Sequence, residues 1–365
     1  MSEYQCYEFV ALDRPLTPKQ MAELRAVSTR ADITPTRFWN EYQWGNLKAD
    51  PAKLMERYFD AHVYFANWGT HRLMLRLPLG RVDAKALAPY FVSDVASTTR
   101  VGAHLIIDLR SEEEPEYDEE GDGSLATLTP IRGEIMGGDL RPAYLAWLLS
   151  VQHDEVDDDE REPPVPPGLA DLSAAQEAMV DFLRIDGDLV SAAATASAAT
   201  PDDRDALRAW VKKLTPAMKD EWLGRAVDAP DLPLGAELLR VFRAQAKPRG
   251  DTKPRSVADL RAAAGRHREL RDAAEAKRVE KAKRAAVNAK NKHLDALAAR
   301  VETAWSELAQ LVETSAYDPA FALAIDLRAL AARDGGLTEF AARFEAFRKQ
   351  HLRRRGFFDR WKRAT

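Results

Sequence analysis

Two sets of side chains in this sequence are of types and spacings that could do chemistry. The first is acid–base. His62 and His71 bracket Trp68, Asp60 lies close before His62, and His104 alternates with Asp108. Imidazole titrates near neutrality and a carboxylate can orient it, so a fold that gathered these groups would hold an acid and a base or a metal ligand pair. Ordinary histidines at strand and helix ends have the same spacing. Trp39 falls on the polar side of an alternating segment with Arg37 and Glu41, where it could line a pocket or a partner surface. Trp39, Glu41, Asp60, His62 and His71 together mark the candidate pocket.

The second set is cationic. Arg266, Arg268, Arg271, Lys277, Arg278, Lys281, Lys283, Arg284, Lys290 and Lys292 crowd one alanine-rich stretch, and no acidic residue falls between Lys281 and Lys292. Such a helix suits phosphate backbones, where each neutralised phosphate releases counterions, and it carries no base-reading code. Two other readings stay open. Glu269, Asp272, Glu275 and Glu280 offer ion pairs along an exposed helix, and the bases could dock on the acidic middle of the chain. The tail adds Arg353, Arg354 and Arg355, followed by Phe357, Phe358 and Trp361. These aromatics suit either an anionic surface or a helix tucked onto its neighbours.

Glycine-rich phosphate loops, zinc-protease helices and nucleophile elbows are absent, so no cofactor is expected. Glu116–Gly121 alternates acids before a glycine as a calcium loop does, but position twelve of that register is Thr127, and a solvated acidic loop is expected. The single cysteine, Cys6, excludes a disulfide framework and a cysteine-based zinc site. With neither a signal-peptide pattern nor a membrane-spanning run, the expectation is a soluble cytoplasmic protein with no metal and no transmembrane segment.

The elements that must position these residues follow from periodicity. Tyr4–Leu12 reads as a strand, and Thr17-Pro18-Lys19-Gln20 as a capping box opening a helix. Thr34–Trp44 alternates as a half-buried strand, and Pro51–Ala66 reads as a helix. Strands follow around Leu73–Leu77 and over Val101–Leu109, with a short helix at Ala84–Tyr90 between them. This order predicts an α+β N-terminal domain over residues 1–110, a mostly antiparallel sheet with helices on one side. An acidic loop (111–123), a helical extension (124–153) and an acidic, proline-rich linker (154–168) come next, then a helical domain (169–246) and a basic linker (247–255). The all-α region 256–365 holds a long basic helix capped by Ser256, running to about Ser315 and reaching roughly 90 Å if unbroken. Leu294, Leu297, Val301, Trp305, Leu308 and Val312 form a coiled-coil or helix-packing seam that could pair two copies of the chain. A helical hairpin, turned at Asp334-Gly335-Gly336, closes the chain.

The run Tyr7–Gly45 (YEFVALDRPLTPKQMAELRAVSTRADITPTRFWNEYQWG), its continuation Leu54–Pro78, the PPVPPGL segment Pro163–Leu169 and the final hairpin resemble a widespread family of uncharacterised bacterial cytosolic proteins. The resemblance covers most of the chain and implies a bacterial cytosolic protein whose domains occur together. It implies no activity. Charge adds a separate constraint. The overall −5 divides into +2 over residues 1–110, −19 over 111–240 and +12 over 241–365. An asymmetry of that size bears on partners. The resulting expectation is a non-catalytic interaction or scaffold protein that meets a protein partner or nucleic acid through its basic C-terminal region. The alternatives are a sequence-independent nucleic-acid-binding protein, and an enzyme of unknown class with its site in the N-terminal domain.

Overall fold

The computed structural model describes residues 3–113, 125–199, 203–228, 234–245 and 254–364. The chain divides into two compact units, Met1–Glu269 and Leu270–Thr365. The calcium-like Glu116–Gly121 run and most of the basic linker at 247–255 lie outside the described residues, as do Thr200 and Pro201, a pair of residue types suited to open a helix.

In the first unit, strands β1 (Gln5–Val10), β2 (Asp32–Ile33), β3 (Arg37–Tyr42), β4 (Ala61–Ala66), β5 (Thr70–Pro78), β6 (Ala96–Val101) and β7 (His104–Glu112) form one antiparallel sheet in the order β2-β3-β1-β4-β5-β7-β6. Helix α1 (Pro18–Val27) opens with the expected capping box, in which Thr17 and Gln20 each satisfy the other's backbone N–H. Helix α2 (Pro51–Arg57) is capped by Asp50 and stops well short of Ala66. The stripe Leu54, Tyr58, Val63 reads as a helix, but Ala61–Ala66 is a central strand paired with β1 and β5, buried at both parities, which hides its period. Val101–Leu109 is likewise a hairpin, not a single strand. Gly102 supplies its left-handed turn at φ 57°.

Helices cover both faces of the sheet, not one. Leu73, Leu75, Leu77, Leu105, Ile107 and Leu109 point into the larger core. Met74 and Ile106, of opposite parity on the same strands, join Tyr7, Phe9 and Phe38 in a second core beneath Leu24 of α1 and Leu54 and Met55 of α2. Runs such as RLMLRL and HLIIDL are apolar at both parities, the pattern of strands buried on two sides.

After the short α3 (Ala84–Leu87), the larger core is filled by α4 (Leu125–Leu128), α5 (Pro130–Met136), α6 (Arg141–Gln152), α7 (Ala174–Phe182) and α8 (Gly187–Ala194). The helical extension expected over 124–153 consists of three helices, α4, α5 and α6, with a turn at Gly138 in the left-handed region. The segment 154–168 is packed too: Val156 and Glu162 are buried and the Tyr90 hydroxyl donates to the Pro164 carbonyl at 2.6 Å. Helices α9 (Asp203–Lys213), α10 (Pro216–Asp228) and α11 (Leu234–Gln245) follow, with Trp210 of α9 against Phe242 of α11.

Helix α12 (Val257–Ala298) begins in this unit, opened by a reciprocal Ser256–Asp259 cap. Val257, Leu260 and Ala264 are buried in the larger core. The helix is continuous for about 63 Å at 1.5 Å per residue and ends at Ala298, not near Ser315. The chain turns at Ala299–Arg300.

The second unit packs the end of α12 with α13 (Val301–Glu313), α14 (Tyr317–Arg333), α15 (Leu337–Gln350) and α16 (Arg355–Ala364). Leu294, Leu297, Trp305, Leu308 and Val312, the expected seam, are buried there against Leu327, Phe344, Phe347 and Phe357. Gly335, at φ 76°, turns the hairpin as predicted.

Candidate functional site

The N-terminal candidates occupy separate settings. Asp60 is buried, and its carboxylate accepts from the Leu12 and Asp13 N–H groups at 2.7 and 2.9 Å and from Arg76 Nη2 at 2.7 Å. Burial alone would raise its pKa. The backbone donors and Arg76 outweigh that and hold the carboxyl below the usual range. His62 faces the second core, paired in register with Phe9 and Met74 and stacked on the Phe9 ring at 3.8 Å. Its Nδ1 contacts the Glu8 carbonyl at 2.8 Å, and its Nε2 has no hydrogen-bond partner among the described residues. Burial pushes its pKa down to about 3, so the ring is neutral.

His71 faces the opposite way. Its Nδ1 meets the Phe182 carbonyl, its ring stacks on Phe182 of α7, and Arg184 reaches its Nε2 at 3.3 Å. Glu41 is exposed on β3, and Trp39 is half-buried with the Arg37 guanidinium 5.8 Å from its ring centre. The sheet thus separates His62 from His71. The only pair among these five in comparable surroundings is Asp60 and His62, and each is committed to other partners. Burial pushes the neighbouring Cys6 thiol up to about 11, which keeps it protonated. Among the described residues, no group of three or more His, Cys, Asp or Glu side chains could hold a metal ion.

A network that the sequence did not reveal anchors the basic helix. Glu162, buried in the proline-rich segment, accepts from the Tyr144 hydroxyl of α6 and from Arg255 Nε and Nη2 at 2.8 and 2.7 Å. Arg255 also donates to the Ala192 carbonyl at 2.9 Å. Two further arginines on α12 continue the clamp. Arg261 pairs with Asp154 at 2.6 Å and Asp158 at 3.0 Å, and Arg268 with Asp186 at 2.6 Å and Asp188 at 3.4 Å. Docking on the acidic middle therefore occurs, and among the described residues it stops at Arg268.

From Arg268 to His293 every residue of α12 is exposed. Helical ion pairs support the stretch: Arg271 with Asp272, Arg278 with Glu275 at 2.8 Å, and Arg284 with Glu280 at 2.8 Å. Lys277, Lys281, Lys283, Lys290 and Lys292 have no such partner among the described residues, and nor does the exposed Arg266 that precedes them. At the far end His293 Nε2 meets Asp326 at 2.7 Å and Arg333 pairs with Asp295 at 2.7 Å, which ties the last turns to α14.

The tail is tucked. Phe357 is fully buried, Trp361 stacks on Phe344 at 4.5 Å, and Arg354 pairs with Glu313 at 3.2 Å. Arg353 and Arg355 remain exposed and unpaired among the described residues. No helix among the described residues is long and apolar enough to cross a membrane. Comparison with protein-family models, curated proteins and solved structures finds no match to this chain.

Proposed function

We propose that this protein is a non-catalytic interaction protein that engages a polyanionic macromolecule through the exposed basic stretch of α12. One observation carries the reading: a run of helix with every side chain in solvent holds five lysines, Lys277, Lys281, Lys283, Lys290 and Lys292, with no acidic partner among the described residues. Cations held at fixed spacing and not neutralised within the chain gain most from phosphate or carboxylate polymers, through counterion release.

The apolar residues on the stretch argue against a helix that docks in a hydrophobic groove. Such helices present anchors at i, i+3, i+4 and i+7. Leu270, Val279 and Val287 are exposed, but at roughly 100° per residue Val279 lies about 180° round from Leu270 and Val287 about 80° further. They make no stripe, so charge is what the stretch offers a partner.

The test is retention of the full chain on a phosphate polymer as salt is raised. Glutamine substitution at all five lysines preserves helix propensity and removes the charge. The substituted chain is expected to lose most retention, with the slope of log affinity against log salt falling by about 0.7–0.9 per lost contact. Absence of wild-type retention at low salt, or equal retention of the fivefold variant, sinks the reading.

A further inference from the structure

The arrangement of cations around α12 points to a particular partner, and we infer that residues 277–292 lie lengthwise in the major groove of duplex DNA; the inference rests on the polyanion reading above. At roughly 100° per residue, taking Lys277 as zero, Lys281 and Lys292 fall within about 60° of it and form one basic flank, to which Arg284, paired with Glu280, adds at about 340°. Lys283 and Lys290, seven residues apart, form a second flank at about 220–240°. Between the flanks, at about 120–180°, lie Ala282, Ala286 and Ala289 at i, i+4 and i+7, bordered by Arg278 at about 100°, which pairs with Glu275, and by Val279 at about 200°. All these residues are exposed.

A helix that ran along one phosphate backbone would use one flank and leave the other in water. Two flanks on either side of a face of methyl groups match a groove instead. The alanines allow close approach to the floor, and each flank meets a different backbone. The major groove of B-form DNA is about 12 Å wide, and a helix with side chains is about 10–12 Å across. The major groove of an A-form RNA duplex is too deep and narrow to admit it. The alanines carry no donor or acceptor for base edges, and Arg278 beside them is paired with Glu275, so the seating is governed by shape and charge and is independent of sequence.

The experiment uses the full chain and a short labelled DNA duplex at low salt. Unlabelled DNA duplex, RNA duplex of the same sequence, polyphosphate and polyglutamate serve as competitors. DNA duplex is expected to compete about tenfold or more better than the others, since only it engages both flanks. The double substitution Ala286→Leu, Ala289→Leu keeps charge and helix propensity but lifts the helix from the floor. It is expected to lower the salt slope on DNA by about 2, the share of Lys283 and Lys290, with polyphosphate retention unchanged. Equal competition by RNA or polyglutamate, or an alanine-face variant that binds DNA like wild type, overturns the groove inference and leaves the polyanion reading standing. Absence of polyphosphate retention in the wild type overturns both.

Discussion

His62 shows at the level of one residue how a candidate catalytic group becomes a structural one. Three residues of its surroundings, Phe9, Tyr7 and Met74, are apolar or aromatic, and the nearby charges, Arg72 and Asp108, bond each other at 2.7 Å. The unfolded chain takes up a proton near pH 6.5, whereas the folded ring resists it down to about pH 3. Folded stability is therefore full above pH 6.5 and is lost progressively as pH falls towards 3, by about 2 kcal/mol at pH 5. Urea unfolding at pH 7 and pH 5 tests this. His62→Phe keeps the ring stack and is expected to flatten the difference; an unchanged difference would show that the loss comes from other groups. Asp60 acts in the other direction of charge, ionised and held by Arg76, so its contribution fades only below the ordinary carboxylate value of 3.8. Neither role was visible in the sequence, because residue type gives the chemistry available to a side chain and strand parity gives its surroundings. Parity could be read for β5 and β7. It could not be read for β4, which the spacing of Leu54, Tyr58 and Val63 disguised as helix.

Among the elements, those with explicit start and stop chemistry were the legible ones. The capping box at Thr17, the proline after Asp50, the Ser256 start of α12 and the glycine turn before α15 all stand where local residue types demand them. Elements defined by partners were not legible. The break after Ala298 contains neither glycine nor proline, and the ambiguous aromatic tail resolves only when Phe344 and Phe347 are present to receive it. That tail carries real weight in the second unit. Phe357→Ala removes a fully buried ring and is expected to cost about 3–5 kcal/mol, read as a lower denaturant midpoint for the second unit. Arg355→Ala, on the exposed side of the same helix, is expected to shift it by less than about 0.5 kcal/mol. Equal effects would mean that α16 does not hold the unit together.

For the whole molecule, the charge division in the sequence corresponds to two different uses of arginine and lysine. Three arginines, Arg255, Arg261 and Arg268, are paired with the acidic zone, while the lysines beyond them are left in solvent. Composition announced the division but could not say where pairing ends. The second unit has its own core from Leu294 onward, and the stretch of α12 from Glu269 to Lys292 has no buried side chain to resist local opening. Brief trypsin treatment is therefore expected to cut between Lys277 and Lys292 and to release a C-terminal fragment that still unfolds cooperatively. A fragment without a cooperative transition would show that the second unit depends on the rest of the chain. The same bare stretch also has a consequence for heredity. With every residue from Glu269 to Lys292 exposed and none buried against a neighbour, substitutions there escape the usual penalty for misfit, and most should shift stability by less than about 0.5 kcal/mol. Proline, at about 3 kcal/mol, is the marked exception. Over generations such a segment is free to change its letters while keeping its helical phase, its alanine content and the placement of its positive charges.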